Sequence, residues 1–305
     1  MYRRKIKSLE KRIQAKSDDG LLIFSDPRGG STWLAEMLSA IPETAVLWEP
    51  LNIAADSPFR RIGFGWKQFI PAEEKWPEAK ICFEELFRGE ELTRNSVFME
   101  RGNLKKYQEA KHLIFKFVNG NALLPWLVNN FCFNYRPVYL IRHPYAVVAS
   151  QIRHGGWNHI PEKFTVPQMR YNDLYYEHIS FFKTLNSLAE VNLAHWCLTN
   201  LGTLRSEGNN KKWITVNYEK LVLNPEREME RILKDWKIEM PAGLKSIFRK
   251  PSATVRGDSP ITGDSQIRLW QNKFDDRTLD KMERVMTHFE VEFYSSKNPY
   301  PEIPF

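Results

Sequence analysis

The chain has 305 residues, of which 42% are hydrophobic and 13% aromatic, and its formal net charge is +7. A chain of this length can bury a large core, and it contains no low-complexity tract or internal repeat, which excludes disordered and repeat proteins. We predict one α/β domain over residues 1–305. The positive charge is compatible with an anionic small molecule, nucleic acid or a membrane surface as partner.

Much of the excess charge lies at the amino terminus. Residues 1–16 contain seven basic side chains and one acidic side chain, whereas the remainder is close to neutral. A surface built for nucleic acid is therefore not required. The basic arm, residues 1–18, is predicted to form a short amphipathic helix with Ile6, Leu9 and Ile13 on one side. Two interpretations stay open: a solvated capping helix, or a helix that contacts a membrane or a partner.

The cysteines and the amino terminus indicate the cellular compartment of the protein. Cys82, Cys132 and Cys197 are far apart in sequence and have apolar or aromatic neighbours, so we predict buried thiols in a reducing environment. The amino terminus lacks the apolar core of a signal peptide, and no apolar run is long enough to span a bilayer. We therefore expect a soluble, cytoplasmic protein.

Strands alternate with helices along the chain. Short apolar runs that stop at proline, glycine or a charged residue predict strands over residues 21–24, 44–51, 112–120, 137–144 and 212–221. Helical spacing of apolar residues predicts helices after the glycines at 29–30, and over 122–131, 145–153, 171–205 (one long helix or two abutting ones), 225–236 and 277–289. Residues 52–79 are predicted to be irregular. This order predicts a mostly parallel sheet covered by helices on both faces.

Charged residues recur at the predicted strand ends. They are Arg28, Glu49, Lys116 and Arg142, each at or near the end of a different strand. Because ligands of parallel α/β sheets bind at the carboxyl ends of the strands, we expect these side chains to converge on one site.

The first strand leads into the stretch Asp-Pro-Arg-Gly-Gly-Ser-Thr-Trp, residues 26–33. A tight turn before a helix directs backbone N–H groups and the positive end of the helix dipole at one point, and Arg28, Ser31 and Thr32 add donors. This arrangement suits a phosphate or a sulfate. The turn is not a Walker A motif, because Gly30 stands where that motif has lysine, and ATP hydrolysis is therefore disfavoured.

A second anion site is predicted after the fourth strand. Arg142 lies at the strand end and Ser150 follows eight residues later, about two turns into the next helix. If the chain reverses at His143 and Pro144, both side chains reach one anion. The alternative is an arginine at a strand end and a serine on a helix, each without a ligand.

Three segments resemble the sulfotransferases that use 3′-phosphoadenosine 5′-phosphosulfate (PAPS). Residues 26–34 resemble the 5′-phosphosulfate loop, P-[KR]-S-G-[ST]-[ST]-x-[LF], and residues 142–150 resemble the 3′-phosphate motif, R-[DN]-P-x-x-x-x-x-S. Residues 216–226 resemble the later Y-E-[DK]-L segment. The resemblance covers residues 20–240 and implies a P-loop NTPase-like sulfotransferase fold, with PAPS as co-substrate, adenosine 3′,5′-bisphosphate (PAP) as product and no metal.

The resemblance also implies roles for single residues. The implied nucleotide-binding set is Arg28, Gly29, Gly30, Ser31, Thr32, Trp33, Arg142, Ser150 and Tyr218. Residues 29–33 would hold the 5′-phosphate, Arg142 and Ser150 the 3′-phosphate, and Tyr218 would lie near the adenine. Arg28 takes the place of the catalytic lysine or arginine. Two departures are glycine at residue 29 instead of serine, and histidine at residue 143 instead of aspartate or asparagine.

The general base is predicted on the second strand. Glu49 precedes Pro50 as in the carbohydrate-type branch that this chain resembles, and we predict that it accepts the acceptor's proton. The alternative for Glu49 is an ion pair with Arg28 or an amino-terminal basic residue, and His112 is the second candidate base. Lys116 interrupts an apolar strand, where an unpaired charge is costly. By resemblance to the protein-tyrosine branch it would face the sulfuryl group; the alternative is a salt bridge with a core acid.

The acceptor is predicted only by class: a hydroxyl or amine of a small molecule, lipid or saccharide. Residues 52–110 and 151–175 would shape its pocket, with aromatic candidates at Phe59, Phe64, Trp66, Phe69 and Trp157. His154 and His159 lack acidic partners for a metal site. Two rival interpretations are a small-molecule kinase with a degenerate phosphate loop and a non-catalytic protein that binds nucleic acid or membrane. The missing lysine of the loop argues against the kinase.

Overall fold

The computed structural model describes residues 13, 16–53, 57–90, 92–93, 96–97, 105–155, 164–248, 250 and 263–302. Its centre is a five-stranded parallel sheet with the order β2-β3-β1-β4-β5. The strands are β1 (Leu21–Ser25), β2 (Thr44–Trp48), β3 (His112–Val118), β4 (Val138–Ile141) and β5 (Ile214–Asn217). The predicted parallel α/β fold is confirmed. Strands buried on both faces are largely apolar, and these strands are, with Lys116 as the charged residue inside β3.

Helices cover both faces of the sheet. They are α1 (Ser31–Leu38), α2 (Pro58–Arg61), α3 (Pro77–Phe87), α4 (Lys105–Glu109), α5 (Leu124–Asn130), α6 (Pro144–His154), α7 (Asp173–Tyr176), α8 (Ile179–Phe182), α9 (Leu188–Arg205), α10 (Tyr218–Leu223), α11 (Pro225–Trp236), α12 (Leu244–Ile247), α13 (Asp264–Arg268) and α14 (Asp276–His288). Apolar residues of α1 and α11 pack on one face, and those of α3, α5, α6 and α9 pack on the other. Short 3-10 turns lie at Ser17–Asp19 and Asn121–Leu123.

The strand order creates a crevice beside β1. This strand lies between β3 and β4; the chain leaving β1 goes to β2 at one edge, and the chain leaving β4 goes to β5 at the other. The carboxyl ends of β1 and β4 therefore flank a point at which the connections run in opposite directions. Ligands bind at such points in open α/β sheets. Arg28 and Arg142 follow these two strands.

Several boundaries differ from the sequence prediction. β5 ends at Asn217, whose Oδ1 accepts a hydrogen bond from the N–H of Lys220 at 3.0 Å and so caps α10, although the apolar run continues. The helical pattern of residues 171–205 corresponds to α7, α8 and α9. The segment predicted as irregular contains α2 and the start of α3. Pro77 begins α3, a position at which proline costs no hydrogen bond.

The predicted pocket aromatics divide between core and surface. Phe59 and Phe64 are buried, and their ring centroids lie 4.8 and 6.2 Å from that of Phe83. Trp66 is 51% exposed. Trp157 lies outside the described residues. Phe69 is half-buried, and among the four candidate rings that the structure describes Trp66 is the most exposed.

Two predictions concern the periphery of the molecule. The prediction for the cysteines is wrong at one residue, and the basic arm lies mostly outside the described residues. Cys82 and Cys197 are buried as predicted, but Cys132 is exposed. The backbone at Phe131 is extended, so alternate side chains point in opposite directions; the rings of Phe131 and Phe133 both pack on Phe87 and leave Cys132 outside. Most of the basic arm and His159 are outside the described residues. Within the described part of the chain, none of the helices has the length and apolarity needed to cross a membrane.

Candidate functional site

The turn between β1 and α1 has a backbone that few side chains tolerate. Arg28 and Gly30 have positive φ angles of 69° and 100°, and the N–H of Gly29 donates to the carbonyl of Asp26 at 2.9 Å. A Cβ at residue 29 would stand 2.2 Å from Ser25 Oγ and 2.9 Å from Asp26 O, which accounts for glycine in place of serine. The turn leads directly into α1, whose first N–H groups lack partners within the helix and favour an anion.

Helix α6 and the end of β4 hold this turn from the opposite side. Arg28 Nε donates to Ser150 Oγ at 3.2 Å, and Gln151 Nε2 donates to Pro27 O at 3.1 Å. Arg142 Nη1 donates to Arg28 O at 3.0 Å. The structure therefore brings the residues of the two predicted phosphate motifs into direct contact.

Arg142 lies on the ring of Tyr218. Its guanidinium carbon is 4.4 Å from the ring centroid, a distance typical of a cation–π contact. Its Nε is buried and has no hydrogen-bond partner among the described residues. A buried donor without a partner is costly, and an oxyanion beside it would satisfy it. This part of the site fits a phosphate group.

His143, the second departure from the family motif, turns away from this site. Its side chain is fully buried, stacks on Trp270 at 4.6 Å, and has Nε2 3.0 Å from the carbonyl of Asn298, so Nε2–H is the donor. Desolvation lowers the pKa of His143 to about 3, which keeps the ring neutral. The side chain at this position is therefore structural, and only its backbone faces the site.

Glu219 fixes the backbone of His143 by a hydrogen bond. Its Oε1 accepts the N–H of His143 at 3.0 Å, while Oε2 is buried without a partner among the described residues. Burial raises the pKa of Glu219 to about 7, and the hydrogen bond from His143 and the charge of Arg142 act in the opposite direction. Glu219 thus titrates near neutral pH behind the predicted 3′-phosphate site.

Lys116 of β3 forms an ion pair with Glu49, the residue that directly follows the neighbouring strand β2. Lys116 Nζ lies 2.9 Å from Glu49 Oε1, and the N–H of Glu49 also donates to the carbonyl of Lys116 at 2.9 Å. The lysine side chain is 2% exposed and the glutamate side chain 42% exposed. Desolvation lowers the pKa of Lys116, Glu49 raises it, and the charge of Arg28 lowers it further. The salt bridge anticipated as the alternative for Lys116 is present, with the predicted base as its partner.

His112 is not brought to this edge of the sheet. It begins β3, at the amino end of the strand, where Nδ1 lies 3.1 Å from the carbonyl of Asp19 and the ring packs edge-on against Tyr135 at 5.4 Å. The remaining predicted residues are near the turn: Ser31 is buried at the start of α1, followed by Thr32, and the ring of Trp33 lies 6.5 Å from that of Tyr218.

Sequence reasoning missed Gln151, Glu219 and Gln266. Gln151 follows Ser150 and is 4% exposed on an otherwise apolar face of α6; a buried polar residue beside a motif was the available signal. Glu219 follows Tyr218 within a motif already singled out. Gln266, which donates to the hydroxyl of Tyr218 at 2.5 Å, carries no sequence signal because only the fold brings α13 to α10.

Known proteins provide an independent comparison. Residues 21–242 match the sequence profile described as "Sulfotransferase family". No protein with a curated description matches the sequence.

The solved structures that match this chain are distant from it in sequence. A sulfotransferase domain from the Synechococcus PCC 7002 olefin synthase is 19% identical over 92% of this chain and 98% of that chain, with a TM-score of 0.46. The mouse sulfotransferase SULT7A1, solved with PAP, is 14% identical over 94% and 88%, with a TM-score of 0.47. The sulfotransferase STF9 from Mycobacterium avium is 13% identical over 96% and 82%, with a TM-score of 0.43. The profile match alone spans well over half of the sequence, and on that ground the chain belongs to the sulfotransferase family.

Proposed function

We propose that this sulfotransferase uses PAPS to sulfate a hydroxyl or amine on a small-molecule, lipid or saccharide acceptor. PAPS supplies the sulfuryl group, and PAP is the product. In this proposal the turn at residues 26–33 binds the 5′-phosphate, and Arg142 and Ser150 bind the 3′-phosphate. The cytoplasmic location and the use of no metal stay predictions from the sequence.

One observation carries the proposal: the two candidate anion sites share contacts. Arg28 reaches Ser150 through its side chain and Arg142 through its carbonyl. A nucleotide with only a 5′-phosphate would leave Arg142 and Ser150 without an anionic ligand. A nucleotide that carries phosphate on both the 3′ and 5′ positions matches the paired sites.

The donor side of the reaction would depend on fixed positive charge. Negative charge develops on the bridging oxygen as the bond between sulfur and the 5′-phosphate breaks, and its electron pair goes to PAP. Arg28, which lies in the turn before α1, would donate to that oxygen, and the first N–H groups of α1 would stabilise the phosphate. Because these donors are held before the substrate binds, little reorganisation is needed as the charge forms.

The acceptor side would use the Lys116–Glu49 pair. As the acceptor oxygen or nitrogen forms its bond to sulfur, its proton would pass to a carboxylate oxygen of Glu49. The 2.9 Å contact with Lys116 fixes the orientation of this carboxylate. Lys116 also lies close enough to Arg28 for their charges to interact, which supports a role near the transferring group.

Two variants test these roles with PAPS and a panel of acceptors, read out by mass spectrometry of sulfated products. Arg28→Ala removes one charge-stabilising donor and should slow turnover by roughly 10²- to 10³-fold. Glu49→Gln should abolish turnover and leave PAP affinity nearly unchanged. Turnover of Arg28→Ala within a few-fold of the wild type would contradict the role of Arg28.

Glu43→Gln is a matched control for Glu49→Gln. Glu43 also has a positive φ, 56° against 48° for Glu49, and also pairs with a lysine, Lys111, at 2.5 Å. It precedes β2 and therefore lies at the opposite edge of the sheet. Glu43→Gln should retain full turnover. If Glu49→Gln lost PAP binding together with turnover, Glu49 would be a structural residue and the proposed base would be wrong.

A further inference from the structure

Tyr218 contacts both candidate phosphate sites at once. It begins α10 directly after β5, and its side chain is 5% exposed. A Cβ at Gly30 would stand 2.4 Å from its Cε2, so the ring lies directly on the backbone of the turn. The Arg142 guanidinium carbon lies 4.4 Å from the ring centroid. The ring therefore fills the space between the turn and the arginine.

This packing restricts the orientation of the Arg142 guanidinium group. The ring supports the guanidinium, Nη1 is used by the carbonyl of Arg28 at 3.0 Å, and Nε stays buried without a partner among the described residues. An arginine lying on an aromatic ring loses less conformational freedom when it binds an oxyanion, because its planar group is already oriented. The hydroxyl of Tyr218, in contrast, is occupied by Gln266 Nε2 at 2.5 Å.

We propose that Tyr218 is a positioning residue that gives the protein its preference for a 3′-phosphorylated nucleotide, by fixing Arg142 relative to the turn at Gly30. This inference rests on the proposed function, since it requires Arg142 to bind the 3′-phosphate. It differs from a role in reading the adenine, which would affect every adenine nucleotide alike. Loss of the ring should weaken PAP binding more than AMP binding, because AMP carries only the 5′-phosphate.

The test is calorimetric measurement of the dissociation constants of PAP and AMP for Tyr218→Leu and Tyr218→Phe. Tyr218→Leu removes the aromatic face and should weaken PAP binding about 10-fold and AMP binding by less than about 3-fold. Tyr218→Phe keeps the aromatic face and should therefore keep the wild-type preference for PAP over AMP. Tyr300→Leu is the matched control, because that ring also lies under an arginine, Arg268, at 5.3 Å.

Tyr218 is buried, so a second series guards against a folding defect. Phenylalanine with one or three fluorine atoms on the ring, incorporated at residue 218, keeps the shape and weakens the negative face of the ring. PAP affinity should fall stepwise with fluorination while AMP affinity stays constant. An equal loss for PAP and AMP would overturn the inference and leave the proposed function intact. A wild-type protein that does not prefer PAP to AMP would instead contradict the proposed function itself.

Discussion

Replacing Gly30 with alanine adds one methyl group where the turn packs against the ring of Tyr218. Alanine at φ 100° is strained, which costs about 1–2 kcal/mol. The new Cβ would also lie 2.4 Å from Cε2 and 2.5 Å from Cδ2 of Tyr218, so the ring or the turn must move. Overpacking of this kind costs roughly 1–3 kcal/mol. Gly30→Ala should therefore lower the free energy of unfolding by roughly 2–5 kcal/mol.

Gly63→Ala isolates the contribution of the ring. Gly63 also has a positive φ, 84°, but a Cβ there would meet no atom of the described residues within 4 Å. This variant should lose only the backbone contribution, about 1–2 kcal/mol. Equilibrium unfolding in urea measures both variants. If Gly30→Ala were no less stable than Gly63→Ala, the ring would not lie on the turn as described, and the reasoning about Tyr218 would fail with it.

Two further predictions concern buried charge. The pKa of Glu219 rises from its ordinary 4.5 to about 7 on folding; the folded state therefore favours the protonated form, and stability falls as pH rises through 7. Glu219→Gln should gain about 3 kcal/mol relative to the wild type between pH 4.5 and pH 8 in urea unfolding, and a difference that does not vary with pH would contradict this. Lys116→Met should leave the free energy of unfolding within about 1 kcal/mol of the wild type, because an apolar side chain of similar volume replaces a desolvated ammonium, while the carboxylate of Glu49, which is 42% exposed, stays hydrated. Its turnover should fall by roughly 10²-fold or more; a large loss of stability with turnover retained would show that the lysine serves the fold.

The sheet and the turn could be predicted from the sequence. Strands buried on both faces are continuous apolar runs, and proline, glycine and charged residues mark their ends. The glycines at 29–30 before an apolar helical pattern indicate a strand, a turn and a helix. The spacing of eight residues between Arg142 and Ser150 places both near one strand end. Each of these signals lies within a short stretch of sequence, and together they are therefore sufficient to predict the sheet and the turn.

Contacts that depend on strand order could not be predicted. Glu49 meets Lys116 because β2 pairs with β3 in register, Trp48 opposite Lys116. Tyr218 meets Gly30 because β5 and β1 flank β4. The burial of His143 depends on the segment that contains Asn298, more than 150 residues later. No local pattern encodes these pairings; they follow from how the strands assemble.

In our proposal the protein binds a nucleotide with both 3′- and 5′-phosphates through Arg142. The most direct measurement is the melting temperature with PAP, compared with AMP, ADP, and ATP with magnesium. At about 100 times its dissociation constant a ligand that binds only the folded state stabilises it by about 2.7 kcal/mol, a shift of several degrees. We expect that shift for PAP, its loss in Arg142→Ala, and its retention in Arg227→Ala, which alters an exposed arginine of α11. A shift with ATP and magnesium but not with PAP would contradict the account and favour a kinase.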